Sequence, residues 1–212
     1  MGGLVTSAYL ARPFSSASVR RVVLVGSPLR GAGEAFRSLS ATSAAGTILG
    51  SGSSMLLPGA MSELAAAEDT SVHELAQGLE LQMRDLMSAY PAVYELLRPA
   101  DARRLAEIGL PGSAPSKSAA ALAMGEAAVY RASVTERLPS IYRGVDLFLV
   151  VGEGRRTLEA KDGYVDGDGL VSVESATVGG LFASRARRFA LGHIELVQDK
   201  AALEYIAGIG ER

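Results

Sequence analysis

Two runs of nearly unbroken apolar residues stand out from a pattern that is otherwise mostly helical. They are 19–25 (VRRVVLV) and 146–151 (DLFLVV). Both are rich in β-branched residues with little alternation, which predicts strands buried on both faces, as in a parallel sheet. Ahead of the first, Met1 to Ala11 places Leu4, Ala8 and Ala11 at helical spacing, and Pro13 and the serines at 15–18 end that helix. From Glu34 to Gly144 the pattern is helical, interrupted at Ser51 to Ser54, Pro58, Pro91, Pro99 and Pro111 to Pro115. Its clearest periodicity is in Ser71 to Tyr90, with Leu75, Leu79, Met83, Leu86 and Met87 on one side. The Gly/Ser/Pro-rich stretch Gly109 to Ser118 reads as a linker. Thr157 to Asp162 predicts a hairpin arm, Asp166 to Gly169 a tight turn, and Arg188 to Leu191 the last strand. A terminal helix over Asp199 to Ile209 would have Asp199 as its N-cap. Strands alternating with helices predict an α/β fold with a parallel sheet. Three strands are few for a chain of 212 residues, so part of the sheet is expected to precede Met1.

Composition narrows the possibilities. Hydrophobic residues make up 48% and charged residues 21%, enough apolar material for a sizeable core. A formal net charge of −2 argues against a nucleic-acid partner, since phosphate contacts need clustered Lys and Arg. The absence of cysteine excludes disulfides, thiol nucleophiles and zinc–thiolate sites, and fits a reducing, cytoplasmic setting. No stretch is long and apolar enough to cross a membrane as a helix, and no signal peptide is visible at Met1.

The candidate chemistry lies in the last third of the chain. Gly167-Asp168-Gly169-Leu170-Val171 puts a carboxylate on a turn with backbone freedom on both sides. Gly192-His193-Ile194-Glu195-Leu196 follows it, with His193 on a loop ahead of the terminal helix. Asp166 is the rival carboxylate. A cation loop fails, because counting from Asp162 puts Tyr164 and Val173 at ligand positions. The other histidine, His73, falls within the helical stretch. At the front, Met1-Gly2-Gly3-Leu4-Val5 runs straight into a helix, and Ser27-Pro28-Leu29-Arg30-Gly31 follows the first strand. No Gly-x-Ser-x-Gly occurs in the 212 residues, and Ser7, Ser27 and Ser51 to Ser54 lack that context.

These strings resemble the C-terminal half of a serine α/β-hydrolase, starting one residue after the nucleophile. In lipases and esterases the nucleophile elbow commonly reads Gly-His-Ser-Met-Gly-Gly before a helix, and the triad runs in the order Ser, Asp or Glu, His. Tyr90-Pro91-Ala92-Val93-Tyr94-Glu95-Leu96-Leu97-Arg98-Pro99 is similar to a segment in the cap of lecithin:cholesterol acyltransferase-like hydrolases. Leu170 replaces the threonine most common in that family's Gly-Asp-Gly-Thr-Val. The resemblance implies three regions: elbow helix, strand and Ser-Pro loop over 1–33, a helical cap or lid over 34–144, and core with the Asp and His loops over 145–212. It implies that His193 is the general base, that Asp168 orients it, and that the Met1 N–H is an oxyanion donor. The implied activity is that of an esterase, lipase or O-acyltransferase working on lipid-like esters through an acyl-enzyme. No cofactor or metal is expected. The expected partners are an ester substrate, a lipid or membrane surface at the periphery, and the missing N-terminal half. Without the nucleophile the chain as given is expected to be inactive. The alternative is a non-catalytic, degenerate hydrolase-like binding or interaction protein.

Overall fold

The structure is a computed structural model, and it describes residues 2–12, 18–40, 91–109, 114–159 and 163–211. The expected helix at Ser71 to Tyr90, the serines at 51–54, His73, Asp162 and Met1 all lie outside the described residues. The protein is a mixed α/β fold built on a small parallel sheet with flanking helices. Helix α1 (Gly2–Leu10) leads to β1 (Arg21–Val25) and α2 (Gly33–Ser40). Helices α3 (Pro91–Glu95), α4 (Pro99–Ile108) and α5 (Ala114–Ser133) follow, then a 3-10 turn (Thr135–Arg137) and α6 (Leu138–Ile141). The remainder is β2 (Asp146–Gly152), a hairpin of β3 (Arg155–Leu158) and β4 (Tyr164–Gly167), α7 (Val173–Ala176), β5 (Ala186–Phe189) and α8 (Lys200–Gly210).

The sheet order is β1-β2-β5, all parallel, with β2 in the centre. The apolar runs read from the sequence are β1 and β2, paired in register from Arg21 opposite Asp146 to Val25 opposite Val150. Val22 and Leu24 of β1, with Leu147, Leu149 and Val151 of β2, face a core closed by Leu10 of α1 and by Leu138, Ile141 and Tyr142. Tyr142 packs edge-on against Phe182, with ring centroids 6.1 Å apart. On the opposite face Arg21 lies over the Phe148 ring and donates to the Ile209 carbonyl at the end of α8. Asp199 caps α8, its Oδ1 accepting from Ala202 N–H at 3.0 Å.

Three predicted boundaries are corrected. The last strand is Ala186–Phe189 rather than 188–191. At the edge of the sheet it exposes Arg187 and Arg188, so it has no apolar run to mark it. The tight turn predicted at 166–169 sits later, because Asp166 and Gly167 still pair with Arg156 and Arg155 in the hairpin. Within the supposed linker the chain is already helical from Ala114.

A second apolar cluster joins Phe36 and Leu39 of α2, Tyr94 and Leu97, Leu105 of α4, and Ala120, Ala123 and Ala127 of α5. This helical unit is fastened to the sheet domain by polar joints. Arg98 pairs with Asp101 at 2.6 Å and with Glu159 just beyond β3. Ala32 N–H donates to the Leu96 carbonyl at 2.9 Å, and the Tyr130 hydroxyl donates to the Leu4 carbonyl of α1 at 2.9 Å. Burial pushes the Tyr94 phenol, within the helical cluster, up to about 12 and raises that of Tyr130, at the joint with α1, as well.

Candidate functional site

Parallel α/β sheets offer ligands the crevice beyond the carboxyl ends of their strands. Here β1 and β2 end side by side, with Gly26 N–H donating to the Val150 carbonyl at 2.9 Å. Both ends carry a glycine where the chain must come close. A Cβ on Gly152 would stand 2.5 Å from Asp168 Cβ and 2.6 Å from the Leu191 carbonyl oxygen. A Cβ on Gly26 would stand 3.0 Å from His193 Nδ1 and Cε1. Gly26 also has a φ of +53°, a conformation that disfavours L side chains.

The Asp168 turn is built by its own hydrogen bonds. Asp168 N–H donates to the Val171 carbonyl at 3.1 Å. Asp168 Oδ1 accepts from Leu170 N–H at 2.9 Å and Val171 N–H at 2.7 Å, the local pairing that makes aspartate a turn residue. Thr157 Oγ1, buried in β3, accepts from Gly169 N–H at 2.8 Å. One carboxylate oxygen is thereby held by two backbone donors, which leaves Oδ2 for a different partner. The side chain is almost completely buried, so the charge has to be paired.

The pairing is with His193. Its Nδ1 lies 2.7 Å from Asp168 Oδ2, and its backbone N–H donates to the Asp168 carbonyl at 2.9 Å. A carboxylate opposite Nδ1 selects the neutral tautomer with the proton on Nδ1 and a free lone pair on Nε2. Nε2 has no hydrogen-bond partner among the described residues, and the side chain is 30% exposed. A hydroxyl placed against Nε2 could give up its proton there, with Asp168 stabilising the resulting imidazolium.

The structure therefore brings two of the residues singled out from the sequence, Asp168 and His193, into direct contact. Asp166 is elsewhere, its Oδ1 accepting from Gly154 N–H at 2.6 Å across the β3–β4 hairpin. Met1 lies outside the described residues. Ser7 is buried, its hydroxyl bonded to the Gly3 carbonyl at 2.7 Å and to Tyr142 at 2.8 Å. Four further residues around the pair carry no role in the sequence reading: Gly26, Thr157, Arg155 and Glu195. For Glu195 a signal exists, since a Glu three residues after the start of a helical turn can reach back to its N-cap N–H. No local pattern marks Gly26 or Thr157, because their partners are brought to them only by the fold.

No protein-family profile matches this chain, and no curated protein matches it significantly.

Proposed function

We propose that Asp168 and His193 are the orienting acid and general base of an acyl-transfer site, the C-terminal half of a serine α/β-hydrolase related to the lecithin:cholesterol acyltransferases. The observation that carries this reading is the meeting at Gly26-Ser27. His193 abuts Gly26, while a Cβ on Gly3, in the first turn of α1, would stand 2.5 Å from the Ser27 side chain. The start of α1 and the imidazole thus share one end of the sheet. We place the nucleophilic serine just ahead of α1, at that same end of the sheet, where the helix N-terminus and its free N–H groups would favour the developing oxyanion.

In this mechanism His193 Nε2 removes the serine proton as the hydroxyl attacks an ester carbonyl. The alkoxide leaving group takes that proton from the imidazolium, and water or an alcohol repeats the sequence on the acyl-enzyme. Asp168 keeps the ring in the Nδ1–H tautomer throughout. The helical unit, joined to the sheet domain beside Gly31 and Leu158, is proposed to act as the cap that shapes an apolar acyl pocket, and lipid-like esters are the proposed substrates.

The nucleophile is proposed to come from residues encoded immediately before Met1, reading Gly-x-Ser. The test is to express the polypeptide that includes them and follow hydrolysis of a short-chain nitrophenyl ester. His193→Ala should lower kcat by roughly 10^6-fold and Asp168→Asn by roughly 10^4-fold, whereas Asp166→Asn should change it little. Near-normal turnover by His193→Ala would refute the assignment. An in-frame stop just upstream would instead favour a non-catalytic binding role for the same fold.

A further inference from the structure

Glu195 is bound twice beside the Asp168–His193 pair, and neither bond belongs to the acid–base chemistry. Residues 193–196 form one helical turn, with Leu196 N–H donating to the Gly192 carbonyl at 3.1 Å. Glu195 Oε2 accepts from the Gly192 N–H at 2.6 Å, the reach-back half of a capping box, and so fixes the entry into that turn. Both Glu195 oxygens also lie 3.3 Å from Arg155 Nη2. Arg155 opens β3, pairs with Gly167 and forms a backbone bridge with Asp168. One carboxylate therefore spans the loop that carries the base and the strand beside the orienting acid.

We infer that Glu195 and Arg155 are positioning residues, a clamp that holds the His193 imidazole on Asp168 by tying the histidine loop to the β3–Asp168 unit. This rests on reading Asp168 and His193 as orienter and base. The Gly192 N–H, and after it Arg155, hold the Glu195 carboxyl below the usual carboxylate range, so the clamp is ionised at neutral pH. The side chains of Arg155 and Glu195 are 55% and 50% exposed, and a pair so solvated adds little to global stability. Its effect falls instead on a ring carried by a short loop, whose orientation depends on the groups behind it. The ordinary surface salt bridge makes the opposite forecast: removing it would leave the histidine unchanged.

The test uses the 212-residue chain itself and needs no turnover. Magic-angle-spinning 15N NMR of the neutral histidines, with His193 assigned through His73→Gln, reports which ring nitrogen carries the proton. The expected wild-type state is Nδ1–H. Glu195→Ala and Arg155→Ala should each shift the Nδ1–H to Nε2–H ratio at least several-fold towards Nε2–H, with the thermal midpoint nearly unchanged. Arg155→Lys should keep most of the wild-type ratio. If both alanine variants keep the wild-type ratio while Asp168→Asn loses it, the clamp is refuted and the Asp–His reading stands. A shift that comes only with collapse of the melt also refutes it, because the residues are then structural. A wild-type ring protonated on Nε2 would remove the orienter–base reading and the clamp with it.

Discussion

His193 is held from three directions: by the Asp168 carboxylate, by the Asp168 backbone carbonyl, and by the bare backbone of Gly26. The last of these is the easiest to break. Gly26→Ala would adopt a left-handed φ at a cost of about 1–2 kcal/mol and set its methyl 3.0 Å from the ring. We expect a stability loss of that order together with displacement of His193 from Asp168. Denaturant unfolding measures the first, and the histidine 15N spectrum the second. An alanine variant with unchanged stability and tautomer would show that the close approach is slack. The sequence singled out Asp168 and His193, which the structure brings into contact, because a carboxylate between glycines and a histidine ahead of a terminal helix are local patterns. It could not find Gly26, since what makes this glycine necessary is a side chain far along the chain.

Among the elements, β1, β2 and α8 were legible because burial imposes composition: unbroken apolar runs for the strands, an Asp cap for the helix. The edge strand β5 was displaced by two residues, since among the described residues only one of its sides is paired and its arginines face water. The joint between sheet domain and helical unit was not legible at all. It depends on Glu159 meeting Arg98 and Asp101, which lie together at the start of α4, 61 residues earlier in the case of Arg98. Arg98 and Asp101 are nearly buried, with side-chain exposures of 11% and 4%. Removing the cation would leave carboxylates uncompensated at low dielectric, a loss of about 3–5 kcal/mol. Arg98→Ala should thus destabilise the protein severely in urea unfolding. Lys200→Ala, which breaks only an exposed pair with Glu204, should cost under about 0.5 kcal/mol. Similar effects from the two variants would mean that the buried triad is not what fastens the helical unit.

For the molecule as a whole, the arrangement is a layered one with its chemistry at one end. The core of α1, α6 and Tyr142 covers one face of the sheet and α8 the other, while Asp168, His193 and the start of α1 gather beyond the carboxyl ends of β1 and β2. The helical unit packs its own apolar cluster and meets this frame through Arg98, Leu96 and Tyr130. Strand β1 forms one edge of the sheet among the described residues, and α1 lies against it with its first turn at Ser27. The central claim, that a serine ahead of α1 is activated by His193, is tested most directly with a fluorophosphonate, which bonds only to an activated hydroxyl. Applied to the polypeptide that includes the residues encoded before Met1, it should modify one serine directly preceding Met1, and His193→Ala should abolish the adduct. Modification of a different serine, or labelling that survives His193→Ala, would contradict the account.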